Sequence, residues 1–153
     1  MAAQVRIRLA TTEDAEVLCE AMRAFLAELD GSSSGLDEES EVALATDLLA
    51  GDQHLVLMAE TDRPVGFISA AQSAALHAGG TYGVIDEFYV TPELRSTGIG
   101  KALLDALVEV AQVRGWRRLE LTTTSRSESM ARAIEFYSRE SFEQIGPRLK
   151  RVL

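Results

Sequence analysis

The sequence is short of cysteine, of histidine, of positive charge and of long apolar runs, and each shortage closes off a class of protein. Cys19 is the only cysteine. No disulfide can form within the chain, and a reducing compartment is allowed. The two histidines, His54 and His77, stand far apart, so with one cysteine they make no metal site and no metal is expected. No apolar run approaches the roughly 20 residues that cross a bilayer, so no membrane partner is expected. The opening Met1-Ala2-Ala3-Gln4-Val5-Arg6 lacks a basic segment followed by an apolar one, so no secretory signal is expected and the expected location is cytoplasmic. Lys and Arg number 15 against 24 Asp and Glu, a formal net charge of −9. Such a chain repels phosphate backbones at long range, which argues against nucleic acid as a partner.

What is present fits one globular domain, residues 1–153. Apolar residues make up 46% and charged residues 25% of the 153, the usual balance for a chain with a proper core. Val5 to Leu9 alternates apolar and basic residues, the pattern of a half-buried strand. Thr11 and Asp14 form a capping pair ahead of a helix carrying Val17, Leu18, Met22, Phe25, Leu26 and Leu29 up to Asp30-Gly31. Cys19 rides on that helix as packing. A second helix follows an acidic cluster and carries Leu44, Leu48 and Leu49 as far as Gly51.

His54 to Glu60 and Val65 to Gln72 read as a hairpin through Thr61-Asp62-Arg63-Pro64. Tyr82 to Val90 is the next strand. Ile99, Leu103, Ala106, Leu107 and Val110 mark one face of a helix closed by Gly115. Trp116 beyond it reads as core or interface packing. Leu119 to Thr123 is a short strand, and Ser125 with Glu128 caps a helix bearing Met130, Ala133, Ile134 and Tyr137. Phe142 to Ile145 is a further strand, and Leu149 to Leu153 a candidate for one more. Residues 31–35 and 77–81 read as flexible loops. The order β-α-α-β-β-β-α-β-α-β is that of a mixed α/β domain.

The chemistry concentrates between Phe88 and Leu104. A strand ends at Val90, Pro92 stops its pairing, and a turn containing Arg95-x-x-Gly98-x-Gly100 leads into a helix. Glycines at a helix start let backbone N–H groups approach a ligand closely. Those N–H groups lack partners within the helix, and the positive end of the dipole lies there. A pyrophosphate is the natural guest, helped by Arg95, Lys101 and the hydroxyls of Ser96 and Thr97. Two familiar phosphate loops are excluded by spacing. Gly100-Lys101 is followed by Ala102 and position 95 is not glycine, so this is no Walker loop. Position 103 is Leu, so it is no dinucleotide fingerprint.

Val90-x-Pro92-x-x-Arg95-x-x-Gly98-x-Gly100-x-Ala102-Leu103 resembles the acetyl-coenzyme A signature of the GNAT N-acetyltransferase superfamily. The Pro64-Val65-Gly66-Phe67 hairpin and Ala133-Ile134-x-Phe136-Tyr137-x-x-x-x-Phe142 match the family's layout, so the likeness covers nearly the whole chain. The resemblance implies a central, mostly antiparallel mixed sheet flanked by about four helices. It also implies acetyl-coenzyme A as cosubstrate. Arg95, Ser96, Thr97, Gly98, Ile99, Gly100 and Lys101 are carried over to the pyrophosphate, and the backbones of Phe88, Tyr89 and Val90 to the pantetheine arm and thioester. Two positions depart from the family: Met130 where Asn is frequent, and Ser141 where Gly precedes the phenylalanine. The first removes a polar group near the cofactor or the tyrosine; the second alters the turn after the helix.

Transfer from a thioester to an amine needs a neutral amine, a stabilised oxyanion and a proton for the leaving thiolate. Asp86 and Glu87 stand on the strand feeding the turn, and as neighbours they point to opposite faces. By the resemblance either orients the amine or its activating water. Glu87 is the first choice for base and Asp86 the alternate, each against the plain reading of a surface carboxylate. Tyr137 resembles the family's general acid, against the plain reading of a packing tyrosine. The oxyanion donor expected is a backbone N–H near Tyr89 or Val90.

The function expected is therefore direct transfer of acetyl to a small-molecule amine. The acidic stretch Glu28, Asp30, Asp37, Glu38, Glu39, Glu41 and Asp47 tilts that expectation toward a cationic acceptor, although it also reads as a solvated face. The alternatives are a non-catalytic acyl-coenzyme A-binding module and a transferase of longer acyl chains. A homodimer through the final strand or the third helix is compatible with the resemblance.

Overall fold

A computed structural model describes residues 4–29, 33–123 and 128–153. The described chain falls into two compact units, one ending at Glu120 and one running from Leu121 to Leu153. The elements are β1 (Arg6–Leu9), α1 (Ala15–Glu28), α2 (Glu38–Ala50), β2 (His54–Glu60), β3 (Pro64–Ala75), β4 (Gly80–Val90), α3 (Ile99–Val113), β5 (Leu119–Leu121) and α4 (Glu128–Arg139). Among the described residues five strands form one sheet in the order β1-β2-β3-β4-β5. The first three pairings are antiparallel. Between β4 and β5 the Arg117 N–H donates to the Thr81 carbonyl and the Gly83 N–H to the Arg118 carbonyl. Residue numbers rise together along both chains there, so this last pair is parallel, joined through α3 as a crossover requires. No helix among the described residues is long and apolar enough to cross a membrane.

β1 is held at its edge by ions as well as by its ladder. The Arg8 guanidinium meets Asp14 at 2.7 Å and Glu60 at 2.6 Å. The Asp14 carboxylate also accepts from the Thr11 N–H at 2.8 Å, completing the expected start of the first helix. Arg8 holds the Asp14 carboxyl down at about 2. This pairing pulls Arg8 inward and leaves Leu9 half exposed, so the simple alternation expected for this strand does not hold.

One face of the sheet is covered by α1. Leu18, Val56, Met58, Phe67 and Tyr89 form its core, with Val17, Ala21, Met22 and Phe25 packed against them. On α2 Leu49 alone of the three expected leucines packs inward. Val42, Ala45 and Leu49 pack on Ala15 and Cys19, while Leu44 and Leu48 point outward, 48% and 40% exposed. Small residues on α1 let α2 approach closely, and that rotates the larger leucines to solvent. Cys19 is buried as packing, which pushes its thiol up.

The opposite face carries α3, whose Ile99, Leu103, Leu104, Leu107 and Ala111 are buried. Gly66 permits the approach: a Cβ there would sit 2.7 Å from the Tyr89 carbonyl oxygen and 3.4 Å from Leu103. Trp116 is buried in the core, its Nε1 donating to Gln72 Oε1 at 2.8 Å. Residues 76–79 make a tight turn, with Ala78 and Gly79 N–H groups bonded to Ala75 and Leu76 carbonyls, rather than the flexible loop expected.

In the second unit α4 ends on a left-handed residue, Ser141 (φ 69°). The Phe142 N–H returns to the Tyr137 carbonyl at 2.9 Å and the Ser141 N–H to Ser138 at 3.2 Å. Gly115 (φ 72°) closes α3 with the same pair of bonds. Serine at such a position costs roughly 1–2 kcal/mol that glycine would avoid. The two strands expected at 142–145 and 149–153 are absent among the described residues. Gly146 (φ 134°) and Pro147 cut the run short, and Ile145, Leu149, Val152 and Leu153 remain exposed. Ser125, expected to cap α4, lies outside the described residues, as do Asp30 and Gly31 at the expected end of α1.

Candidate active site

The site grows out of an irregularity in β4. Phe67 pairs with Tyr89 and Ser69 with Glu87, but Ala70 pairs with Ile85, so Asp86 is an extra residue. A bulge of this kind reverses the facing of everything beyond it. Glu87 and Tyr89 consequently share the α1 face with Phe67, Ser69 and Val56, whereas Phe88 and Val90 share the α3 face with Ile68 and Gly66. Asp86 is exposed and Glu87 half-buried. The two acids are thereby separated in environment.

Burial raises the Glu87 carboxyl above its ordinary value, the Ser69 hydroxyl partly offsets this, Asp86 adds to it and His54 opposes it. The Ser69 hydroxyl donates to Glu87 Oε2 and accepts from the Glu87 N–H at 3.1 Å. Ser69 is 2% exposed and was not anticipated as a functional residue. The signal for it existed: it is the one polar side chain in the apolar run Val65 to Ala70.

Beyond Glu87 the strand presents its backbone to two sides. The Thr91 N–H donates to the Val65 carbonyl at 2.9 Å. Backbone direction alternates along a strand, so Thr91, Tyr89 and Glu87 turn toward β3 while Phe88 and Val90 turn to the outer edge. On that edge β5 has only three residues against eleven in β4. Most of the edge therefore extends past any pairing that β5 can offer.

The turn that follows runs through a single 3-10 turn, Pro92–Leu94. Ser96 and Gly98 both take left-handed backbone, at φ 64° and 92°. Gly98 stands immediately before α3, and among the described residues no side chain caps the helix there. Among the described residues nothing lies within 4 Å of where a Cβ on Gly98 would stand, so that side of the helix start is open. Amides at an uncapped, open helix start fit a diphosphate. The Thr97 hydroxyl is turned back to the Leu94 carbonyl. Lys101 pairs with Asp105 one turn along at 3.1 Å.

Arg95 has several partners within the chain. Its Nε donates to the Val90 carbonyl at 2.9 Å, its Nη2 meets both Glu28 oxygens at 3.0 and 2.7 Å, and its guanidinium lies 5.6 Å over the Tyr89 ring. Glu28, the last residue of α1, was read in the sequence as part of the acidic stretch and not as a partner of Arg95. Tyr89 in turn stands against Phe25 and Phe67. Burial, aided by Glu28, pushes its phenol up.

Tyr137 lies in the second unit, on α4, with its ring edge-on to Phe136 and Phe142 at 5.3 and 5.5 Å. Burial pushes its phenol up to about 12. His54 lies on β2 and His77 in the β3–β4 turn. Among the described residues no three His, Cys, Asp or Glu side chains cluster as metal ligands.

Comparison with known proteins agrees with this layout. Residues 18–142 match the family model described as Acetyltransferase (GNAT) family. An uncharacterized N-acetyltransferase of Methanocaldococcus jannaschii is 42% identical over 60 residues, 39% of this chain but only a quarter of that relative's length. An integron cassette protein from the mobile metagenome of Cole Harbour Salt Marsh superposes with a TM-score of 0.79 at 27% identity, over 96% of this chain and 89% of that one. An aminoglycoside acetyltransferase from an uncultured soil metagenomic sample superposes at 0.80 with 19% identity, over 97% and 96%, a likeness of fold.

Proposed function

Because the chain belongs to the acetyltransferase (GNAT) family, we propose that it transfers acetyl from acetyl-coenzyme A to the primary amine of a small cationic acceptor. The observation that carries this reading is the open, uncapped start of α3 behind Gly98, reached from an outer edge of β4 that β5 only partly covers. The amides of Gly98 to Lys101 would hold the diphosphate. The Phe88 and Val90 backbones would pair with the pantetheine arm as an added strand does. Of the two backbone donors considered for the oxyanion, Val90 is the better choice, because alternation turns the Tyr89 N–H toward β3.

Glu87 is the proton acceptor in this reading, directly or through one water. A carboxyl raised by burial lies closer to the working pH than an ordinary one, which suits a general base. Glu87 takes one proton from the ammonium, the freed lone pair forms the N–C bond, the C–S bond breaks with its electrons on sulfur, and the second nitrogen proton leaves with that sulfur as the thiol. Tyr137 donates to that sulfur. A phenol at about 12 stays protonated at neutral pH. Full transfer to a thiolate of pKa about 8.5 would run uphill by about 5 kcal/mol, so Tyr137 serves as a hydrogen-bond donor while the bond breaks.

The acidic face supports a cationic acceptor through its field. Glu16, Glu20, Glu38 and Glu39 line an open groove between α1 and α2, with Arg23 as the cation among them. Arg23 pairs with Glu38 and Glu41, so compensation is partial. The groove residues of α1 are not those packed on the sheet, so its acids steer cations rather than hold the reacting amine.

The test is titration calorimetry with acetyl-coenzyme A, followed by thiol release over a panel of polyamines, aminoglycosides, amino-acid amides and peptide amines. Binding together with release on cationic small amines is expected. No heat with the coenzyme overturns the reading. Tight binding without release from any amine replaces it with a binding module.

A further inference from the structure

Ser69 stands on β3 opposite Glu87, at the point where the ladder slips to accommodate Asp86. A regular antiparallel pair would satisfy the Glu87 N–H from a backbone carbonyl. Here that N–H also reaches the Ser69 hydroxyl, at 3.1 Å, while the same hydroxyl donates to Glu87 Oε2. One side-chain oxygen thus grips the main chain and the carboxylate of a single residue. Oε1 makes no hydrogen bond among the described residues, which leaves it as the oxygen that can take a proton. A buried hydroxyl in an apolar run needs a partner, and this one has two from the same neighbour.

We propose that Ser69 is a positioning residue for proton removal from the acceptor amine, its hydroxyl holding Glu87 by backbone and carboxylate together and leaving Oε1 as the accepting oxygen. The inference rests on Glu87 being the base. The charges that act on Glu87 are Asp86 beside it and His54 across β3. The side chains that α1 and α2 pack on this face, Val17, Leu18, Ala21, Met22, Phe25 and Leu49, carry none. The Ser69 hydroxyl is therefore the neutral donor that favours the ionised carboxylate, in agreement with the direction of its effect on that group. Removing it raises the Glu87 midpoint, so the base loses readiness from the acid side.

Two measurements on the full chain test this. In the first, the Glu87 carboxyl is titrated by carbon-13 NMR in wild type and in Ser69→Ala, with no acceptor needed. The midpoint should rise by roughly one pH unit, the worth of one hydrogen bond to a charged group. It should return in Ser69→Thr, which restores the hydroxyl on a strand-favouring residue. An unchanged midpoint in a folded Ser69→Ala protein overturns the proposal. In the second, the acid limb of kcat/KM for the acceptor should move upward with the NMR midpoint while the KM for acetyl-coenzyme A stays put. A fall in rate with no movement of the limb also overturns it, because lost packing would act that way. The two levels separate through Glu87→Gln. Wild-type turnover with an intact acid limb in that variant sinks the base assignment. A dead Glu87→Gln beside an unshifted Ser69→Ala sinks only the role of Ser69.

Discussion

The two faces of β4 do different work within the same eleven residues. Toward α1 it shows Glu87 and Tyr89, a half-buried acid and a buried aromatic, tied to Ser69 and Arg95 by polar contacts. Toward α3 it shows Phe88 and Val90, packed beneath a helix brought close by Gly66. One face carries groups that could move a proton; the other fixes where the helix begins. The extra residue at Asp86 decides which face each side chain joins, so chemistry and anchoring are divided by a change of register rather than by separate elements.

That division predicts that damage on one face should leave the other intact. The largest effect belongs to Glu87→Gln. Acceptor kcat/KM should fall on the order of 10²–10⁴-fold, with acetyl-coenzyme A affinity by calorimetry unchanged. In wild type the rate should drop as pH falls through the raised Glu87 midpoint, because only the ionised form accepts a proton. A variant as active as wild type would break the comparison at its centre. Tyr137→Phe, in the other unit, should lower kcat roughly ten- to a hundredfold by removing one donor to a developing charge. Stopped-flow thiol release reads it, and a loss of coenzyme affinity instead would assign Tyr137 to binding.

On the α3 face, Gly66→Ala should cost about 1–3 kcal/mol, since the clash is with backbone that cannot turn aside. Scanning calorimetry should show a lower Tm with the Glu87 titration unmoved. The smallest effect sharpens the picture most. A Cβ on Gly100 would sit 3.7 Å from Phe88, ordinary contact, so Gly100→Ala should fold as wild type. It should nevertheless weaken acetyl-coenzyme A roughly tenfold by holding the guest off the amides. Unaltered affinity would mean that this glycine has no ligand to admit.

Much of the architecture was legible because local signals decide it. β2 occupies the residues its apolar run marks, Gly51 and Gly115 stand where α2 and α3 end, and Thr11 with Asp14 starts the first helix. The reading failed where the deciding partner is distant. Leu44 and Leu48 carry a helical period, yet small residues on α1 choose Ala45 and Val42 for the interface. The terminal apolar residues look strand-like until Gly146 and Pro147 divide them. In the candidate site the turn and both acids were visible in the chain. The slip that sets Glu87 inward was not, because register between β3 and β4 is a property of two strands. Nor could spacing show Arg95 engaged to Glu28, 67 positions earlier.

That last pairing has a consequence for any anion reaching the turn. Glu28 already occupies the guanidinium with both oxygens, and each partner is more than two-fifths exposed. On the proposed reading, a diphosphate seeking Arg95 would compete with a resident carboxylate, which would then act as a mild antagonist. Because the contact is wet, dissolved salt loosens it. Ionic strength then pulls in opposed directions, screening the visitor's attraction while also unseating the rival.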